Sequence, residues 1–86
     1  MPHHIVLYTK PGCHLCDDAL RSLNDLRGEF DLTIAEIDIT TDAALLQNYF
    51  DKIPVLRIDD RFTLAAPINR QDVRAVLSSL SSLDFS

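Results

Sequence analysis

The stretch YTKPGCHLC, at residues 8–16, is the part of this sequence that most strongly indicates a fold. It holds the only two cysteines among the 86 residues, Cys13 and Cys16, in a Cys-x-x-Cys spacing. The apolar run that leads into it, residues 4–9, predicts a buried β-strand that ends in a turn at residues 10–12. Apolar residues recur at helical spacing after it, so the cysteine pair is expected between a strand and a helix.

Downstream of the cysteines the pattern alternates between helix and strand. The first helix is expected to end at Gly28 and to bury one apolar face, made of Leu15, Ala19, Leu20, Leu23 and Leu26. Residues 30–39 predict a strand whose apolar phase slips midway, which indicates either a β-bulge or burial on both faces. Thr40 or Thr41 is expected to cap a second helix that runs through Phe50. The inward-facing residues of this helix should be Leu45, Leu46, Tyr49 and Phe50.

The second half of the chain adds a hairpin and a last helix. Residues 54–58 and 61–64 predict two strands joined by a turn at Asp59-Asp60. Asn69 is expected to cap the last helix, whose apolar positions are Val73, Val76, Leu77 and Leu80. Residues 81–86 are rich in serine and are expected to form a flexible C-terminal tail, which leaves residues 1–80 as a single domain.

The resulting order of elements is β-α-β-α-β-β-α. Its first strand–helix–strand unit predicts a parallel pair, the hairpin adds an antiparallel pair, and the helices cover both faces of a four-stranded mixed sheet. A Cys-x-x-Cys pair between the first strand and the first helix of such an order indicates a thioredoxin-like fold of the α/β class.

Composition narrows the function classes. Thirteen acidic residues against eight basic ones give a net charge of −5, which argues against nucleic acid or an anionic membrane surface as the partner. No apolar run approaches the roughly 20 residues that a membrane span requires. The first residues also lack the cationic region of a secretory signal. We therefore expect a cytoplasmic protein, and we expect it to be a monomer.

The cysteine pair itself indicates chemistry rather than structural support. Two cysteines separated by only two residues close a small ring, which removes little chain entropy and stabilises the fold little. In a cytoplasmic chain they indicate redox chemistry or half of a metal site. At the start of a helix, the pKa of the Cys13 thiol should be lowered by the positive end of the helix dipole. Lys10 should add to this effect, whereas Asp17 and Asp18 should oppose it.

The spacing also predicts a different role for each thiol. Cys13 is the nucleophile that attacks a substrate disulfide and forms a mixed disulfide with it. Cys16 lies one helical turn further on and shares a helix face with Cys13. It is expected to attack the mixed disulfide and to release the reduced substrate.

A second element of the site is Ile53-Pro54, at the start of a predicted core strand. Proline is tolerated there because the first residue of a strand need not donate to the ladder. If the bond between the two residues is cis, the backbone before it can face outward and pair with a bound peptide. The simpler interpretation is a turn that precedes a strand.

Three histidines and one lysine are further candidate site residues. His14 either tunes the pKa of the cysteines or is a solvated residue at the helix start. Lys52 either attracts anionic substrates or is an ordinary surface lysine. His3 and His4 should lie roughly 15–20 Å from Cys13 along the first strand, so no metal site is expected within one chain.

Residues 8–16, together with residues 53–55, resemble the glutaredoxins, and in particular short bacterial glutaredoxin-like proteins. The resemblance extends over nearly the whole chain. It implies a thioredoxin fold, with Cys13 as the nucleophile, Cys16 as the resolving thiol and a cis Pro54.

The resemblance also implies where glutathione would bind. Its contacts map onto Lys10, toward a carboxylate, and onto the backbone of Ile53 beside Pro54. The chain departs from the family in carrying His14-Leu15 where Pro-Tyr is usual. It also carries Leu-Ala-Ala-Pro-Ile at residues 64–68, where members have a glycine pair and then acidic residues. These departures weaken the expectation of glutathione dependence and leave the thiol chemistry intact.

We therefore expect a thiol–disulfide oxidoreductase of cellular electron transport and redox homeostasis, with no bound cofactor. Its substrates should be disulfide-containing proteins or low-molecular-weight thiols. Its electrons should come from glutathione as the reductant or from an external reductase. The alternatives are a non-catalytic binding or redox-sensing module with the same fold, and a carrier of metal or an iron–sulfur cluster.

Overall fold

The elements of the chain follow the predicted order. The computed structural model describes residues 2–83, with the backbone alone for residues 81–83. The elements are β1 (His3–Thr9), α1 (His14–Leu26), β2 (Leu32–Asp38), α2 (Ala43–Tyr49), β3 (Val55–Ile58), β4 (Phe62–Ala65) and α3 (Arg70–Leu83). No helix within this range is long and apolar enough to cross a membrane.

The strands form one four-stranded mixed sheet in the order β2-β1-β3-β4. β1 pairs with β2 in parallel, whereas β3 is antiparallel to both of its neighbours, β1 and β4. This arrangement confirms the predicted α/β fold with a mixed sheet. The register of β1 with β2 runs without an offset from His3–Leu32 to Thr9–Asp38, so the β-bulge considered for β2 is absent.

The main core lies between one face of the sheet and the two long helices. Ile5 and Leu7 of β1 point to this face, because alternate residues of a strand share a side. They pack against apolar side chains that recur at helical spacing on α1 and α3. The buried residues of this cluster are Ile5, Leu7, Ala19, Leu23, Leu26, Leu32, Leu56, Ile58, Val73, Leu77 and Leu80.

The other face of the sheet is covered by α2. The ring of Tyr49 stacks on that of Tyr8, with centroids 4.7 Å apart, which places α2 over the end of β1. Helices therefore contact both faces, as predicted, but the contact on this side is small because α2 buries none of its residues.

The predicted inward packing of α2 is wrong for two of its four apolar residues. Leu45 and Tyr49 are half-buried, whereas Leu46 and Phe50 are exposed. The reason is geometric. Residues four apart share a helix row, so Leu45 and Tyr49 form one row and Leu46 and Phe50 form the next. The stacking of Tyr49 on Tyr8 turns the first of these rows toward the sheet and leaves the second facing outward.

The cap of α2 also differs from the prediction. Asp42 is the N-cap, and its Oδ1 accepts hydrogen bonds from the backbone N–H groups of Ala44 and Leu45 at 2.8 and 3.3 Å. Thr40 instead donates its backbone N–H and its hydroxyl to Asp38, within a short 3-10 turn at Ile39–Thr41. The helix therefore begins later than expected, because the threonines are engaged in the turn before it.

Two local predictions in the second half are confirmed. Asp59 and Asp60 form the hairpin turn, both with positive φ (53° and 56°), as a type I′ turn requires. Asn69 caps the last helix, and its Oδ1 accepts a hydrogen bond of 2.9 Å from the N–H of Asp72. That helix continues through Leu83, beyond the expected start of the tail at residue 81. The rest of the predicted tail, residues 84–86, lies outside the described residues.

Candidate active site

Cys13 is the N-cap of α1. Its backbone is extended, with φ −91° and ψ 105°, and its Sγ accepts a hydrogen bond of 3.2 Å from the N–H of Cys16. The carbonyl of Cys13 accepts a hydrogen bond of 3.1 Å from the N–H of Asp17, which closes the first helical turn. The sulfur therefore lies at the positive end of the helix, against one of the N–H groups that have no partner within the helix.

Cys13 and Cys16 form a disulfide, with their Cα atoms 5.2 Å apart. The two sulfurs differ in access. Cys16 is 2% exposed and belongs to the buried side of α1, whereas Cys13 is half-buried. An incoming molecule can therefore reach this pair from the Cys13 side.

The turn from β1 into α1 depends on one glycine. Gly12 has a φ of +77°, a backbone conformation that residues other than glycine rarely adopt. The space around it is open, with nothing within 4 Å of a Cβ built there. The glycine thus serves the path of the backbone, which delivers Cys13 to the helix start.

Pro54 lies at the same edge of the sheet as the cysteines. It precedes Val55, which pairs with Tyr8 near the end of β1. The Ile53–Pro54 bond is cis, as predicted, and Pro54 is buried. The N–H of Ile53 donates to the carbonyl of Tyr49 at 3.2 Å and closes the end of α2.

The stretch that departs from the glutaredoxin pattern reaches this edge as well. Ala65 ends β4 and pairs with Val55, so residues 65–67 begin beside the start of β3. A second cis bond follows, between Ala66 and Pro67. The sequence did not predict this bond, because most X-Pro bonds are trans and nothing in the local sequence distinguishes this one.

A cleft of about 350 Å³ adjoins the turn that carries Cys13. Three carboxylates, Asp17, Glu36 and Asp38, and one ammonium group, Lys10, contribute to its lining. Hydrogen bonds from the side chain and then the backbone N–H of Thr40 lower the pKa of Asp38, against a smaller effect of burial. The cleft is therefore negatively charged. Sequence reasoning missed Glu36 and Asp38, because they join the site only through the pairing of β2 with β1.

The other two candidate site residues, His14 and Lys52, are exposed. His14 is the first residue of α1, and Lys52 lies two residues before Pro54. For each of them, a role at the site and a place as an ordinary surface residue both stay predictions. Lys10, which lines the cleft, is also exposed.

The histidines of β1 lie at the other end of that strand. His3 is buried, and its Nδ1 donates to the Asp59 carboxylate at 2.6 Å. Across residues 2–83, no three His, Cys, Asp or Glu side chains come close enough to hold a metal ion together. His3 is thus paired with the hairpin turn and not with the cysteines.

The family assignment rests on the whole domain. A family model described as Glutaredoxin-like domain (DUF836) matches residues 4–78, which include the cysteine pair and Pro54. The chain belongs to the glutaredoxin-like domain family. The resemblance noted in the sequence is therefore confirmed.

Solved structures similar to this glutaredoxin-like chain support the same fold. The X-ray structure of the structural-genomics target protein XcR50 from X. campestris is 33% identical, with a TM-score of 0.75 over 87% of this chain and 96% of that one. The solution structure of the same target is 33% identical, with a TM-score of 0.72 over 87% of this chain and 92% of that one. No curated protein matches the chain.

Proposed function

We propose that this protein is a thiol–disulfide oxidoreductase in which Cys13 is the nucleophile and Cys16 the resolving thiol. The observation that carries the proposal is the asymmetry of the pair: Cys13 is accessible at the helix N-cap, and Cys16 is buried one turn behind it. The N–H of Cys16 lies 3.2 Å from the Cys13 sulfur and is placed to stabilise a thiolate there.

The exchange begins from the dithiol form. The Cys13 thiolate attacks one sulfur of a substrate disulfide, the substrate S–S bond breaks, and the departing thiolate takes a proton from water. Cys16 then loses its proton and attacks the Cys13 sulfur. This step forms the Cys13–Cys16 disulfide and releases the second substrate thiol. Two electrons pass from the protein to the substrate.

Turnover requires that the disulfide be reduced again by an external two-electron donor. Glutathione or a separate reductase can supply these electrons. Lys10, Ile53 and Pro54 are the residues that would contact glutathione. The negative cleft beside Cys13 and the alanines at residues 65–66 favour a reductase as the donor. Such regeneration belongs to a reducing compartment, and we place the protein in the cytoplasm.

A redox titration with three proteins tests the proposal. Wild type, Cys13→Ser and Cys16→Ser are equilibrated in buffers of varied reduced-to-oxidised glutathione and trapped with acid before mass measurement. Wild type should lose two hydrogens reversibly at a defined midpoint. Cys16→Ser should accumulate a mixed disulfide with glutathione, because the chain has no second thiol to resolve it, whereas Cys13→Ser should form far less.

Turnover is then measured with a disulfide substrate and an excess of dithiothreitol as the reductant. A wild-type rate no higher than that of Cys13→Ser would contradict the proposal. Formation of the disulfide once, without turnover, would instead identify the binding or redox-sensing module.

A further inference from the structure

Several large apolar side chains are exposed to solvent. In the described part of the chain they are Leu15, Leu46, Phe50 and Phe62, which are 57%, 39%, 58% and 41% exposed. Leu15 lies between the two cysteines, and its exposure corrects the expectation that it belongs to the buried face of α1. Leu46 and Phe50 share a row at the end of α2. Phe62 lies apart from them, at the turn end of the β3–β4 hairpin, where it pairs with Ile58.

The end of α2 lies at the edge of the sheet that carries the disulfide. Tyr49, the last residue of α2, stacks on Tyr8, and Tyr8 pairs with Val55 beside the cis proline. Phe50 follows Tyr49 directly. The exposed ring of Phe50 therefore borders this edge from the α2 side, and Leu15 borders it from the α1 side.

The charge near this edge indicates which kind of molecule can bind there. Asp17, Glu36 and Asp38 outnumber Lys10 in the adjoining cleft, so an anionic ligand is repelled. Glutathione brings two carboxylates and no apolar side chain. A second copy of this chain brings a net charge of −5. A segment of another protein, with apolar side chains and little negative charge, complements both the exposed apolar side chains and the cleft.

Resting on the proposed function, we propose that Leu15, Leu46 and Phe50 form a docking surface for protein disulfides whose cysteine is flanked by apolar residues. The residue next to the substrate cysteine lies only about 4 Å further along the substrate chain. It is therefore held close to this docking surface while the mixed disulfide forms on Cys13. Burial of its apolar side chain favours the transition state for attack and so raises the rate of exchange.

Two synthetic peptide disulfides test the docking surface. They have the same length, a single lysine and blocked ends, and they differ only in Leu-Cys-Leu against Ser-Cys-Ser at the centre. Pre-reduced full-length protein is mixed with an excess of each peptide disulfide and quenched with acid for mass measurement. The readout is the ratio of the two rate constants, because a change in thiol reactivity cancels from it. For wild type we expect a ratio of about tenfold or more in favour of the leucine peptide.

Substitutions test whether the docking surface causes the preference for the leucine peptide. Phe50→Ala and Leu15→Ser should each reduce the ratio several-fold. Phe62→Ala is the matched control, because it removes an exposed phenylalanine at the opposite edge of the sheet, and its ratio should equal that of wild type.

Two results would overturn the docking surface while leaving the proposed function intact. One is a wild-type ratio within twofold of unity, and the other is a ratio that neither Phe50→Ala nor Leu15→Ser changes. A protein that reacts with neither peptide nor with glutathione disulfide would overturn the proposed function as well.

Discussion

Nδ1 of the buried His3 lies 2.6 Å from Oδ2 of Asp59, a residue 56 positions further along the chain. The other carboxylate oxygen of Asp59 accepts the N–H of His4 at 2.7 Å, and the N–H of Asp59 donates to the carbonyl of His4 at 2.8 Å. One turn residue thus binds the first strand through three hydrogen bonds. The hairpin of β3 and β4 is thereby tied to the end of β1 opposite the cysteines.

The first prediction concerns the pH dependence that this carboxylate imparts. Burial raises the pKa of Asp59, but the hydrogen bonds from His3 and His4 and the electrostatic attraction of both histidines together outweigh it, so the pKa lies below its ordinary value. Its stabilising effect is therefore complete above the unfolded pKa of about 4 and is lost as the pH falls through the folded value. Asp59→Asn should lower the free energy of unfolding by about 1–3 kcal/mol at pH 7.

Urea unfolding at pH 7 and at pH 3 measures this effect. The difference between wild type and Asp59→Asn should shrink at the lower pH. Asp60→Asn is the matched control, because Asp60 shares the turn and the positive φ but has an exposed side chain. Equal loss of stability in the two variants would show that the turn, and not the carboxylate, is responsible.

The second prediction concerns Gly12, whose φ is +77°. Gly12→Ala should destabilise the fold by about 1–2 kcal/mol, because a Cβ is disfavoured in this conformation although the space is open. Gly28→Ala is the control. Its Cβ would meet only the carbonyl of Asp25, at 4.0 Å, and no positive φ opposes it. A lower midpoint temperature of thermal unfolding for Gly28→Ala than for Gly12→Ala would contradict this account.

The third prediction concerns the cap of α2. Asp42→Ala removes the carboxylate oxygen that accepts the N–H groups of Ala44 and Leu45, and it should cost about 1 kcal/mol. Hydrogen exchange of these two amides should accelerate. Asp51→Ala carries the same change in charge just after α2 and should leave the exchange unaltered. Unchanged protection in Asp42→Ala would show that this hydrogen bonding does not hold the helix start.

The fourth prediction rests on the proposed function and concerns the negative cleft. Glu36→Gln removes one of its three carboxylates, so reduced protein should react roughly twofold faster with anionic glutathione disulfide at low salt. The gain should disappear at high salt, where such interactions are screened. Asp31→Asn makes the same charge change at the other end of β2 and should have little effect. Equal rates for wild type and Glu36→Gln at low salt would show that the cleft does not repel this substrate.

Much of the site could be predicted from local sequence alone. The Cys-x-x-Cys spacing and the helical periodicity after it put Cys13 at the helix start and Cys16 on the buried face. Asn69 and the Asp59-Asp60 pair marked a helix cap and a hairpin turn for the same reason. Each of these features depends on residues within one or two turns of each other, so the sequence pattern contains the whole interaction.

The predictions for α2 were wrong where its sequence allows two alternative local arrangements. Asp42 and the preceding threonines can each cap a helix, and the choice depended on Asp38 engaging Thr40. The sequence of α2 likewise contains two adjacent apolar rows. Only the packing of Tyr49 on Tyr8 decided that Leu46 and Phe50 stay exposed.

The order of elements and the Cys-x-x-Cys pair could be predicted from the sequence, because periodicity, caps and spacing are local properties of the chain. The family resemblance rested on the residues at positions 8–16 and 53–55. Contacts between groups far apart in the chain depended on the tertiary structure. His3 contacts Asp59 because β1 pairs with β3. Glu36 lies at the cleft beside Cys13 because β2 pairs with β1. Strand register sets such contacts, and a shift of one residue would turn every side chain of a strand to the other face.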